Sequence, residues 1–179
     1  MLNIVLKTPI GVVHSVHTSN GVHSISLDKS YNEDPNIVSK LPSKLNVEVL
    51  QFDGPTTAQA KVFIQWMQNF FGPSPPAFLP ELDNEILNKD NFTALVLRTL
   101  MNDTMPGTTL SYAELAKRCG NPKACRAVGQ AMRANPLPLV VPCHRVVRSS
   151  GKLGHYMSGD GDNIKAWLID HEKKAAGVV

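Results

Sequence analysis

SYAELAKRCGNPKACRAVGQAMRAN, residues 111–135, is the stretch on which the architecture turns. Ser111 can accept a hydrogen bond from the amide three residues on, and Glu114 stands where it can return one to the cap, so a helix is predicted from Tyr112. Gly120 ends it. Asn121 then reads as the cap of a second helix with Pro122 in its first position, where a missing N–H costs nothing, and Pro136 stops that helix. Two short helices joined by a tight Gly-Asn turn resemble a helix-turn-helix, with an ordinary helical hairpin as the plainer alternative. The second helix is unusual for a reader of base edges, because Ala124, Ala127, Gly129, Ala131 and Ala134 leave little side chain for a wide major groove. Small residues permit close backbone approach, and a long Arg126 projecting from them suits the narrower minor groove.

Charge around this stretch agrees. Residues 1–90 carry six Lys/Arg against nine Asp/Glu, whereas residues 91–179 carry twelve against six. Between Glu114 and Asp160 no carboxylate occurs, while Lys117, Arg118, Lys123, Arg126, Arg133, Arg145, Arg148 and Lys152 all fall in the gap. Such a patch suits a phosphate backbone, against the plainer alternative of a solvated basic face.

Upstream, residues 3–28 alternate apolar and polar side chains, with Asn20-Gly21 between two Val/Ile-rich runs, which predicts a β-hairpin preceded by another short strand. LNVEVLQF (45–52) is a further strand candidate. Thr56 or Thr57 can cap a helix to about Phe71, with Phe63, Trp66, Met67 and Phe70 on one face. GPSPPAFLP (72–80) then breaks all periodicity and reads as a linker. Asp90 or Asn91 can cap a helix that ends before Pro106. The expectation is an α/β domain over residues 1–85 followed by a mainly helical domain over 86–179.

With 42% hydrophobic and 18% charged residues the composition is that of an ordinary globular chain. No basic segment followed by an apolar run and cleavage site opens it, and no apolar run approaches membrane-spanning length, so neither secretion nor a membrane is expected. Three Cys (119, 125, 143) without a CxxC pair imply neither a disulfide framework nor a zinc ribbon, and a reducing compartment is expected. His14, His17 and His23 cluster, but in a strand His14 and His17 fall on opposite faces, so no metal is expected.

The remaining question lies in PLVVPCHRVVR (138–148). A Cys in an apolar run is ordinarily a small inert hydrophobe. Thiolate is the reactive form, however, and adjacent positive charge or a His that takes the proton favours it. In an extended segment neighbouring side chains point apart, so His144 meets the sulfur only through a bend or a bridging water.

Pro142-Cys143-His144-Arg145-Val146, preceded by Asn135-Pro136 and NPKACRAVGQAMR and followed by SSGKLGHY (149–156) and KAWLIDHE (165–172), resembles the O6-alkylguanine-DNA alkyltransferase family over about residues 91–175. The resemblance implies an RNase H-like N-terminal domain and a winged-helix-like C-terminal one. It implies direct-reversal repair, in which O6-alkylguanine, and O4-alkylthymine with it, is flipped out of duplex DNA and its alkyl group passes irreversibly to Cys143. His144 is then the water-linked base, Glu172 orients it, Tyr112 assists flipping and protonates the departing guanine, and Asn135 holds the Cys turn. Arg126 fills the space left by the flipped nucleotide, and Ala127, Arg133, Lys123 and Ser149 contact DNA. Val146, Tyr156, Ser158 and Pro138 form the substrate pocket. No cofactor is implied. The partner is double-stranded DNA, bound in the minor groove with little sequence preference by a monomer, with cooperativity left open. The location is the nucleus in a eukaryote and the cytoplasm otherwise.

One departure from the family is MSGDGDNIKAWL after Tyr156, about two residues longer than the vertebrate form and carrying Asp160 and Asp162 at the pocket rim. The main alternative is a non-catalytic alkyltransferase-like protein that binds lesions, which lacks the Cys. A Cys hydrolase needs an oxyanion hole and leaves the basic gap unexplained, and a pure DNA-binding regulator has no use for PCHR.

Overall fold

The computed structural model describes residues 1–28, 46–156 and 161–178. Four strands form an antiparallel sheet in the order β3-β2-β1-β4: β1 (Leu2–Thr8), β2 (Gly11–His17), β3 (Val22–Leu27) and β4 (Glu48–Asp53). The alternation read from the sequence is the alternation of burial. Leu2, Ile4 and Leu6 face the core with Val13, Ser15 and His17, whereas Lys7 and His14 face out. His14 and His17 thus lie on opposite faces, as a strand requires. β1 and β2 are joined at Pro9-Ile10, a turn held by the Thr8 hydroxyl donating to the Gly11 carbonyl at 2.6 Å. At the β2–β3 connection Gly21 is required by close approach: a Cβ there would stand 2.4 Å from the Glu81 carbonyl oxygen, which accepts from the Val22 amide at 2.8 Å.

Helix α1 (Ala58–Phe70) is capped by Thr57, whose hydroxyl accepts from the Ala60 amide, and it buries Phe63, Trp66, Met67 and Phe70. Phe63 meets the ring of His17 edge-on, with centroids 4.8 Å apart. A single turn, α2 (Glu85–Asn88), leads to α3 (Phe92–Asp103), capped by Asn91.

β5 (Leu110–Ser111) pairs in parallel with β6 (Val146–Val147), which sets the start of α4 (Tyr112–Arg118) beside the segment that carries Cys143. The capping box is present in full, with the Ser111 hydroxyl accepting from the Glu114 amide and Glu114 accepting from the Ser111 amide. Gly120 follows in a left-handed conformation, φ 76°. The expected cap at Asn121 does not form. Asn121–Ala124 is a separate turn, closed by the Ala124 amide on the Asn121 carbonyl, and α5 runs over Cys125–Arg133 without a side-chain cap. Pro122 sits in that turn rather than in the helix, because the chain must first return from the Gly120 bend. α5 packs against α3 and α4.

Cys143–Arg145 form one 3-10 turn, not the extended segment expected, and α6 (Asp162–Ala175) packs against it. The two halves of the chain are hydrogen-bonded to each other. The Ile25 amide donates to the Pro136 carbonyl at 2.8 Å, and His171 Nε2 lies 2.8 Å from the Phe70 carbonyl oxygen.

Candidate active site

Cys143 is buried at the start of its 3-10 turn. The side-chain amide of Asn135 fixes that turn from outside: Nδ2 donates to the Val141 carbonyl at 2.8 Å and to Cys143 Sγ at 3.2 Å, and Oδ1 accepts from the Leu137 amide at 3.0 Å. Between them Leu139 is buried in a left-handed conformation, φ 75°, which for a residue with a Cβ costs about 1 kcal/mol or more. The strain is tolerated because Leu137, Val140 and Val141 around it are themselves core residues.

Burial pushes the Cys143 thiol above its ordinary value. The Asn135 donor, the Lys165 charge and the Tyr156 hydroxyl pull the other way without prevailing. The resting sulfur is therefore a protonated thiol that needs a base. His144 is fully buried next to it in sequence, and its Nε2 lies 2.9 Å from Glu172 Oε1. Burial lowers its pKa more than Glu172 raises it, so the imidazole is neutral at pH 7. Its Nδ1 makes no hydrogen bond among the described residues. With Nε2–H donated to the carboxylate, Nδ1 is the free lone pair, the tautomer that accepts a proton.

Glu172 is buried, which opposes ionisation, but His144 and Arg145 outweigh burial and hold its carboxyl at about 2. Arg145 grips both oxygens, Nε to Oε2 and Nη2 to Oε1 at 2.9 Å each, and its Nη1 donates to the Thr104 carbonyl. Arg145 is one of the cations between Glu114 and Asp160. It is 7% exposed and is neutralised internally, so it belongs to the site's scaffold rather than to the outer charge.

In front of Cys143 lies a cavity of about 790 Å³. Of the expected site residues it is walled by Tyr112, Arg126, Arg133, Asn135, Pro138, Cys143, Ser149 and Tyr156. His144, Glu172 and Val146 are buried outside that wall, and the Val146 carbonyl accepts from Lys165 Nζ at 2.7 Å. Ala127 is half-buried on α5 and Lys123 exposed on the turn before it, and neither borders the cavity. Ser158 and Asp160 lie outside the described residues. Tyr112 opens α4 at the cavity edge, its phenol pKa raised by burial and by Cys143 and lowered by Arg148 and Arg133. The Tyr156 hydroxyl is buried beside the sulfur, and burial first, then Cys143, raises its pKa well above the ordinary value.

Sequence reading missed three contributors. Lys165, 1% exposed, sits seven residues before Glu172, two turns along the same helix face, a spacing that could have marked it. Arg148 reaches the cavity from the expected basic gap. The third, the β3 edge with Ile25, Ser26 and Leu27, carries no chemical pattern in the sequence and is brought to the cavity only by tertiary packing.

Residues 91–174 match the family described as 6-O-methylguanine DNA methyltransferase, DNA binding domain. The methylated-DNA–protein-cysteine methyltransferase of Mus musculus is 40% identical over 176 residues, covering 94% of this chain and 79% of the mouse protein. That of Mycobacterium tuberculosis is 45% identical over 100 residues, 55% of this chain and 58% of that protein. The crystal structure of Mycobacterium tuberculosis OGT in complex with DNA superposes with a TM-score of 0.72 at 27% identity, over 96% of this chain and 92% of that one. O6-methylguanine-DNA methyltransferase from Pyrococcus kodakaraensis gives a TM-score of 0.60 at 28% identity, over 96% and 99%. The mixed sheet-and-helix architecture is shared along almost the whole length, and the chain belongs to the methylated-DNA–protein-cysteine methyltransferase family.

Proposed function

We propose that this protein is a single-turnover DNA repair enzyme that takes an alkyl group from O6-alkylguanine, and from O4-alkylthymine, onto Cys143. The observation that carries the reading is Cys143 held by Asn135 at the floor of the cavity, with a neutral His144 backed by an ionised Glu172. His144 takes the thiol proton, through a bridging water. The sulfur attacks the alkyl carbon, the carbon–oxygen bond breaks with its electron pair passing to the base, and Tyr112 protonates the departing guanine. The product thioether has no good leaving group, so each molecule acts once. The presence of Cys143 favours transfer over lesion binding alone.

Tyr112–Arg118 and Cys125–Arg133 are the two helices of a helix-turn-helix in a winged-helix-like domain over 86–179, beside an RNase H-like domain over 1–85. DNA enters by its minor groove against α5. Arg126, exposed on that helix, replaces the flipped nucleotide, and Lys123, Arg133, Ala127 and Ser149 meet the backbone. Among the described residues no helix is long and apolar enough to cross a membrane. The protein works as a monomer where the DNA is, the nucleus in a eukaryote and the cytoplasm otherwise. Intact-protein mass spectrometry after incubation with a duplex containing one O6-methylguanine tests this. One methyl per protein on Cys143, absent from Cys143→Ser, is the expected result, and tight binding with no mass gain overturns it.

A further inference from the structure

Asp162 follows closely after Tyr156, a residue of the cavity wall, and the structure ties the two together. Asp162 is the first residue of α6. Its Oδ1 accepts from the Tyr156 amide at 2.8 Å, and its Oδ2 lies 3.3 Å from His155 Nδ1. The Gly161 amide donates to the Tyr156 carbonyl at 3.0 Å. The backbone of Tyr156 is therefore tied on both sides to the start of α6, and its ring is buried against Cys143.

Position along α6 explains why this matters. Asp162, Lys165, Ile169 and Glu172 are spaced by three, four and three residues, one face of a helix. Each polar member of that face holds a different part of the site. Glu172 holds His144 and Arg145, Lys165 holds the Val146 carbonyl, and Asp162 holds Tyr156. The carboxylate also sits in the first turn, where the helix dipole favours it.

We infer that Asp162 is a positioning residue for alkyl transfer, fixing Tyr156 beside Cys143 and thereby the discrimination between small and bulky alkyl groups. The inference rests on the transfer reading above. A methyl group has few atoms with which to locate itself, so its alignment with the sulfur depends on a fixed Tyr156. A bulky aromatic adduct finds its own contacts on Pro138 and Met132, which line the same cavity.

Single-turnover rates at saturating duplex, with O6-methylguanine or O6-benzylguanine in one sequence, test it in Asp162→Ala and Asp162→Asn. Asn keeps the acceptor for the Tyr156 amide and loses the charge. In Asp162→Ala the methyl rate falls by at least about tenfold, as expected for misalignment of reacting groups. The benzyl-to-methyl ratio rises, the Kd for duplex is no weaker than the wild type's, and Asp162→Asn recovers most of the methyl rate. The inference is overturned if Asp162→Ala keeps the wild-type rate and ratio, or if rate and DNA affinity fall together in Ala and Asn alike. A wild-type protein that binds duplex but transfers no methyl overturns the transfer reading itself, and this inference with it.

Discussion

His144 is buried and neutral while Glu172, 2.9 Å away, is buried and charged, held so by its hydrogen bonds to His144 and to Arg145. A bidentate guanidinium stays charged at every accessible pH, so the carboxylate is matched without protonating the imidazole. Two expectations follow at this scale. His144→Gln slows methyl transfer by about 10²-fold or more, the usual worth of a positioned base, with duplex affinity unchanged. Rapid-quench single-turnover assays and a binding titration check both halves. Glu172→Gln leaves Arg145 facing a neutral amide in a buried site, and removing one partner of such a pair destabilises by about 3 kcal/mol or more. Urea unfolding of the variant measures it. Glu172 has a folded value of about 2 against 4.5 when unfolded, so its contribution is present above pH 4.5 and is lost as pH falls toward 2.

At the scale of elements, α4 is the piece whose local chemistry was most legible. Ser111 and Glu114 announce their capping box in the sequence, and the box places Tyr112 at the first helical position, on the cavity edge. Ser111→Ala therefore destabilises by about 1 kcal/mol and also slows transfer through Tyr112, whereas a cap remote from the site, Thr57→Ala, gives a similar thermal shift with transfer intact. Calorimetry and the rate assay on the two variants separate the effects. The strands were legible for the same reason, since alternation at Leu2, Ile4 and Leu6 reports burial directly. Illegible parts have a common physical origin. The Asn121-Pro122 pair is a valid helix start in isolation, and only the return of the chain from Gly120 converts it to a turn. Cys143–Arg145 looks extended because Val140 and Val141 precede it, but the amide of Asn135, eight residues away, folds it back. Arg145 counts as outer charge in the sequence because a charge count carries no information on burial.

Across the whole molecule, DNA affinity and acid stability are set by groups far apart. With Arg145 neutralised inside, the cations of the basic gap that face outward, Lys123 and Arg133 among them, are the ones the proposed complex offers to phosphate. Replacing either by Ala reduces the slope of log K against log salt by about 1 if it contacts one phosphate, with little dependence on sequence. A salt titration on two unrelated duplexes reads this out. Acid stability has a second centre in the sheet. His17 is fully buried against Phe63, and burial lowers its pKa from 6.5 to about 4. A depressed His takes up protons more readily when unfolded, so stability is full above pH 6.5 and falls as pH drops toward 4, by about 3 kcal/mol. His17→Gln flattens the His17 part of that slope in urea midpoints measured from pH 7 to pH 4, leaving the contribution of His144, which is shifted in the same direction.

The single face of α6 that carries Asp162, Lys165 and Glu172 also fixes what length changes the gene can absorb. One codon inserted between positions 162 and 172 would turn everything on one side of it by about 100°, swinging either the rim or the His144 support out of the site. A codon gained or lost just before the helix leaves that ruler unbroken. Indels among relatives should therefore collect ahead of Asp162 and stop at it.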